Sequence, residues 1–195
     1  LSKIVLKNYK LTIILPLFGR DELTKVWIAE NYNSKYKYII ADGGKDNKNK
    51  DIFENFIREN INYIKFPTDI DCRTYVNKMY LSSTYVDTPY VITVDNDDII
   101  NPKGIDKCIK TLDENNNYSC VSGKIKFIKQ HNEKIYSFSL NSHSSKDLSN
   151  LNSDLSIKTY LDPYLKNNKY LWYSIYRKKN YELIWRNMRD AEIDD

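Results

Sequence analysis

Three carboxylates, Asp95, Asp97 and Asp98, fall within four residues directly behind the apolar run Val91-Ile92-Thr93-Val94. Like charges this close repel one another, and holding them beside a core is costly unless a cation or hydrogen bonds compensate. Mg²⁺ and Mn²⁺ take oxygen ligands and suit one or two carboxylates combined with substrate phosphates. The pattern therefore suits a divalent cation, Mn²⁺ or Mg²⁺, held by Asp95 and Asp97 against a diphosphate. The competing reading is an Asp-rich turn, in which Asp97 and Asp98 cap the next turn and Asp95 bonds backbone amides. The two histidines, His131 and His143, lie far apart in expected turn or loop contexts and make a poor metal pair.

The elements around this cluster read as an α/β layered domain with a mainly parallel central sheet flanked by helices, since short β-branched runs alternate with helical periods. Thr12 to Leu15 is expected as the first strand, with Pro16 ending its pairing. Asp21 is expected to cap a helix with Leu23, Val26 and Trp27 on its inner face. A second strand runs Tyr36 to Ala41, broken by Gly43-Gly44. Asp51 then caps a helix with Ile52, Phe53, Phe56 and Ile57 inward. Tyr63 to Phe66, a helix over Arg73 to Ser83 and a buried strand over Tyr90 to Asp95 come next. Asn101 as cap and Pro102 at the first helical position open a helix carrying Ile105, Cys108, Ile109 and Leu112 at helical spacing. Beyond it, Ser119 to Ile128 and Lys134 to Leu140 read as a hairpin turned by Gln130 to Glu133. Asn141 to Ser156 reads as a long loop or lid, Leu171 to Arg177 as a strand, and Tyr181, Ile184, Trp185 and Met188 as one face of a last helix.

Ligands of open α/β sheets bind at the carboxyl ends of the strands. Those ends carry Pro16-Leu17-Phe18-Gly19-Arg20, Asp42-Gly43-Gly44 and Asp95-Asn96-Asp97-Asp98. The runs ILPLFGR, IIADGGKD and VITVDNDD, in this order and spacing, resemble the motifs of GT-A fold glycosyltransferases, especially glycosyltransferase family 2. The resemblance covers about residues 10 to 115 and becomes generic beyond. It implies a metal-dependent transfer of a sugar from a nucleoside-diphosphate sugar, UDP-sugar favoured, to a glycan or glycolipid hydroxyl, inverting, in bacterial surface glycan synthesis. It places Pro16, Leu17 and Phe18 along the base, Asp42 on the base, Asp95 toward the ribose or sugar, and Asp97 on the metal. Asn96 and Gly43 join the nucleotide-sugar site.

Arg20 and Arg73 are candidates for the donor phosphates, because guanidinium matches phosphate oxygens in two-point contacts. A base must take the acceptor proton. The late acidic residues Asp190 and Glu192 are the favoured candidates, with Asp194 and Asp195 behind them. Trp172 and the tyrosines from Tyr170 to Tyr176 could stack on a sugar, although strand burial explains their alternation equally. Two departures from the family pattern stand out. Phe18-Gly19 replaces a polar residue of the first loop, and the stretch Asp71 to Asn77 matches only loosely. Two alternatives remain: a nucleotide-binding, non-catalytic module of a larger glycan synthase, and a sugar-phosphate nucleotidyltransferase. The short Pro16 to Arg20 loop disfavours the second.

A length of 195 residues suits one domain, with a nucleotide half over about 10–115 and an acceptor half over about 116–195. The net charge of +4 arises from 30 basic and 26 acidic residues without a block, so no nucleic-acid partner is expected. Three scattered cysteines argue against a disulfide framework and for a cytoplasmic setting. No apolar run approaches the roughly 18 residues of a membrane span, which leaves room only for a peripheral contact at the inner face. Oligomeric state is unreadable. A start at Leu1 and a stop in the run Ala191 to Asp195 read as a piece of a longer protein.

Overall fold

The computed structural model describes residues 8–56, 58–131, 134–140, 143–144 and 173–191. The chain divides into two compact units, Leu1–Ile99 and Ile100–Asp195. In the first unit, β1 (Leu11–Leu17), β2 (Lys37–Asp42), β3 (Ile61–Lys65) and β4 (Tyr90–Thr93) pair in parallel in the order β3-β2-β1-β4. Helices α1 (Asp21–Asn31), α2 (Lys48–Asn55) and α3 (Cys72–Thr84) make the crossovers that parallel pairing requires. Leu11, Ile13, Ile14 and Leu15 are fully buried, as expected of a parallel strand covered on both faces. At the start of β4, the Thr12 and Thr88 hydroxyls hydrogen-bond at 2.7 Å, and Thr88 donates to the Tyr90 carbonyl at 2.8 Å.

Several sequence expectations need correction. Pro16 does not end β1, because pairing with β2 continues through Pro16↔Ala41 and Leu17↔Asp42. The Ile14 carbonyl faces β4, accepting from Val94, and the Leu17 carbonyl faces β2, accepting from Gly43. Strand residues alternate sides, so the missing N–H of Pro16 falls on the β4 side, beyond the last pair Ile14↔Thr93. Helix α1 buries Thr24, Trp27, Ile28 and Asn31, while Leu23 and Val26 are exposed. The helical spacing is kept but the face is rotated, because two of its inward residues are polar and hydrogen-bonded. Asp51 lies inside α2, which starts after Asn47 and buries Asn49 and Phe53; Ile57 lies outside the described residues.

Helix α3 begins at a capping box two residues before its expected start. Asp71 accepts from the Thr74 amide at 2.7 Å while Thr74 Oγ1 accepts from the Asp71 amide at 3.1 Å. The Thr74 amide, then its hydroxyl, hold the Asp71 carboxyl below its usual range.

In the second unit, α4 (Pro102–Glu114) matches its expectation, with Asn101 Oδ1 accepting from Lys103 and Gly104 amides at 3.1 and 3.4 Å. Ile105, Cys108, Ile109 and Leu112 are its buried face. β5 (Cys120–Ser122) pairs antiparallel with β8 (His143–Ser144) and β9 (Ile175–Arg177), and β6 (Ile125–His131) forms the expected hairpin with β7 (Lys134–Leu140). The stretch expected as one strand from Ser119 divides into β5 and β6 at Gly123-Lys124. Both histidines sit in strands rather than in turns. The Arg177 guanidinium donates to the carbonyls of Leu112, Asn115 and Tyr118 at 2.6, 3.1 and 2.8 Å, satisfying groups that the end of α4 leaves open. Helix α5 (Lys178–Asp190) buries Tyr181 and Trp185. Most of the expected 141–156 loop, with Leu171 and Trp172, lies outside the described residues. Among the described residues no helix is long and apolar enough to cross a membrane.

Cys72 is exposed, whereas burial raises the Cys108 thiol and pushes Cys120 up to about 12. Ellman's reagent is expected to titrate one thiol in the native protein and all three in denaturant. Asn101→Ala should lower the unfolding free energy by about 1 kcal/mol, read from the denaturant midpoint, since it removes the cap of α4.

Candidate functional site

The acidic turn begins where β4 stops pairing. The Asp98 amide donates to the Asp95 carbonyl at 3.2 Å, and Asp98 Oδ2 accepts from the Asp95 amide at 3.3 Å. This closed turn brings carboxylate oxygens of Asp95, Asp97 and Asp98 within 4.8 Å of one another. The Asp-rich turn reading thus describes Asp98, but α4 is capped by Asn101 and leaves Asp97 to another role. Asp97 is exposed, and its Oδ2 accepts from Arg20 Nη1 at 2.8 Å. The donor set is all oxygen, which suits a hard divalent cation, and Arg20 holds the Asp97 carboxylate with which such an ion would pair.

Arg20 reaches the turn from an unusual backbone. Gly19 and Arg20 have φ of 67° and 55°, the left-handed region that costs a residue with a Cβ roughly 1–3 kcal/mol. The Arg20 carbonyl accepts from the Thr24 amide at 3.0 Å, the Thr24 hydroxyl at 3.2 Å and Asn96 Nδ2 at 3.3 Å. Asn96 also donates to Thr24 Oγ1 at 3.1 Å, and Asn31 Nδ2 donates to the Asp98 carbonyl at 3.2 Å. The polar face of α1 therefore grips the acidic turn.

The end of β2 holds a second buried network. Asp42 is fully enclosed; its Oδ1 accepts from the Gly44 amide at 2.7 Å, and its Oδ2 from Tyr63 at 2.5 Å and Lys65 at 3.2 Å. Burial, and then the bond to Asp42, raise the Tyr63 phenol above its ordinary range. Beside it, the buried Lys78 ammonium pairs with Asp69 and donates to the Leu17 carbonyl at 3.4 Å. Burial pulls Lys78 down, against the upward effect of Asp69. A Cβ on Gly43 would fall on the Asp69 carboxylate, so glycine is what lets that group close over β2. Asp69 Oδ1 is buried and has no hydrogen-bond partner.

Of the residues expected to bind nucleotide, Asp95, Asp97 and Arg20 come together. Asn96 is only 7% exposed, its amide turned onto α1. Leu17 is in the core, Pro16 is half-buried, and Phe18 stands exposed beyond β1. Arg73 is exposed in the first turn of α3. Asp190 ends α5 in the second unit, paired with its neighbour Arg189 at 2.7 Å, and Glu192 lies outside the described residues. Sequence reasoning missed Thr24, Asn31, Tyr63, Lys65, Asp69 and Lys78. A signal for two of them existed, since Tyr63 and Lys65 alternate onto one side of β3 and Lys65 lies in register with Asp42.

A family model described as "Glycosyl transferase family 2" matches residues 12–184. The chain belongs to glycosyl transferase family 2. Among solved structures, S. aureus TarS 1-349 is similar at a TM-score of 0.50 and 12% identity, over 87% of this chain and 47% of that one. The same protein in complex with UDP-GlcNAc matches at 0.48 and 14%, over 87% and 45%. A longer S. aureus TarS matches at 0.44 and 16%, over 57% and 20%. This chain thus spans less than half the length of these relatives, and at 12% identity the match at 0.50 speaks for the fold alone. A comparison with curated proteins gave no match. The expected GT-A layering of parallel strands and crossover helices is what this member of the family has.

Gly43→Ala should cost roughly 1–3 kcal/mol in a denaturant titration, because the Asp69–Lys78 pair must move to admit the methyl group.

Proposed function

We propose that this chain carries the donor site of a metal-dependent glycosyltransferase. The enzyme moves a sugar from a nucleoside-diphosphate sugar, UDP-sugar favoured, to a glycan or glycolipid hydroxyl, with inversion, in bacterial surface glycan synthesis. The observation that carries this reading is the Asp95, Asp97 and Asp98 cluster facing Arg20 at the strand ends. Family membership supports glycosyl transfer as the chemistry.

In this reading Asp95 and Asp97, with Asp98 beside them, hold Mn²⁺ or Mg²⁺. When bound, that ion supplies a Lewis acid that stabilises charge on the departing diphosphate. Arg20 can exchange its contact with Asp97 for a phosphate oxygen, since both are charge-assisted bonds of similar geometry. Phe18 offers its exposed ring to the base. Asp42, already holding three donors, keeps the Gly43-Gly44 turn and β3 in place beside the nucleotide. Asp69 Oδ1 is the buried acceptor left for a base N–H. Asp190 or Glu192 is the candidate base for the acceptor proton. The setting that goes with this chemistry is cytoplasmic, with a peripheral contact at the inner membrane face.

A second reading, a nucleotide-binding module of a larger synthase, is favoured by one observation. The candidate base Asp190 is engaged by its neighbour Arg189 at 2.7 Å. Mn²⁺-dependent hydrolysis of a panel of nucleotide sugars separates the two. Turnover with one donor is expected, whereas tight nucleotide binding with no turnover on any donor would favour the module. Asp97→Ala is expected to abolish metal-dependent nucleotide binding in calorimetry. Unchanged metal dependence would return Asp97 to a surface ion pair.

A further inference from the structure

We propose that Thr24 and Asn96, seconded by Asn31, form a positioning lock that couples the Arg20 turn to the Asp95–Asp98 turn, so that the phosphate-facing arginine and the metal carboxylates are set as one unit. The proposal rests on the metal-diphosphate reading of the site.

Thr24 is fully buried, and Asn31 and Asn96 are each 7% exposed, although these residue types are mostly found at surfaces. Their hydrogen bonds run between loops that are far apart in sequence. Asn96 Nδ2 bridges Thr24 Oγ1 at 3.1 Å and the Arg20 carbonyl at 3.3 Å, and Thr24 Oγ1 donates to that same carbonyl at 3.2 Å. Asn31 Nδ2 bridges the Trp27 carbonyl at 3.1 Å and the Asp98 carbonyl at 3.2 Å. The left-handed backbone of Arg20 is thereby held from both sides, and its side chain reaches Asp97.

Stability alone does not account for this chemistry. Replacing both partners of a buried hydrogen bond by apolar groups of the same shape can be nearly neutral. What apolar packing lacks is direction, and the lock fixes the direction of two loops at once. Supporting groups around a metal site act in this way, and their loss typically lowers metal affinity by roughly 10–100-fold.

The test is Mn²⁺ binding to the full chain with UDP present, read from the free-ion signal in electron paramagnetic resonance, alongside thermal melting. Thr24→Val and Asn96→Ala are each expected to weaken Mn²⁺ binding about tenfold. The double variant should lose less than the sum of the two single losses, since both remove the Thr24–Asn96 bond. Thr24→Ser should retain wild-type affinity, and Thr24→Val, which strips the buried Asn96 amide of one acceptor, should melt a few degrees lower yet stay folded at the titration temperature. Wild-type affinity in both single variants, or fully additive losses, would overturn the lock. Should Thr24→Val not fold, Asn96→Ala against Thr24→Ser carries the same comparison: loss in the first with retention in the second supports the lock, and equal behaviour overturns it. Asp97→Ala separates the layers. If it leaves Mn²⁺ binding intact, the metal reading fails and the lock falls with it. If it abolishes binding while both lock variants bind normally, the lock alone is overturned.

Discussion

Mutual repulsion among Asp95, Asp97 and Asp98 is the constraint around which the first unit is arranged. Three carboxylates at the end of a buried strand need positive charge or donors, and the chain supplies the first from a distance and the second locally. Arg20 brings a guanidinium across 77 positions of sequence, and the backbone amides of the turn itself bond inward. Because Arg20 and Asp97 are both exposed, their ion pair by itself contributes little to stability. Its significance lies in where it puts charge. The strained Gly19-Arg20 backbone is tolerable only because the Arg20 carbonyl collects several donors.

A second compensation occurs one strand away, where Asp42 and Lys78 are buried charged residues. Each is surrounded by opposite charge or hydrogen-bonding groups, as burial of an ionised group requires. Within it, the Asp42 turn and the Lys78–Asp69 pair meet through Leu17 and Gly43: Leu17 accepts from Lys78, and Gly43 both donates to Leu17 and makes room for Asp69. The carboxyl edge of the sheet is thus a polar seam above an apolar core.

The order and type of the elements were legible because apolar runs and caps carry them. Asn101-Pro102 and the buried face of α4 read directly from helical spacing. The acidic cluster was legible as a cluster too, since motif and strand end coincide, but its pairing with Arg20 was not. What was hidden shares one physical cause. Thr24, Asn31 and Lys78 are buried through hydrogen bonds that reach distant residues, and a hydropathy pattern assigns such residues to the surface. The same blindness rotated the expected face of α1 and hid the bonds of the Asn96 amide to Thr24 and Arg20. Pro16 misled because the rule for proline in strands depends on which neighbour its nitrogen faces, a fact of pairing and not of composition.

The pairing of Thr12 with Thr88 bears on this seam from the opposite end of the sheet. β1 and β4 are apolar on both faces, so sliding one past the other by one residue would still bury hydrophobic side chains, and hydrophobicity specifies their register weakly. Such a slip would carry the acidic turn about 3.3 Å along the strand axis relative to Arg20. The hydroxyl pair at 2.7 Å discriminates between these registers, since Thr88 keeps its local bond to Tyr90 in any register but the buried Thr12 hydroxyl meets Thr88 in only one. Two threonines remote from any ligand thus act as the alignment key by which the sheet delivers its charged edge in working order.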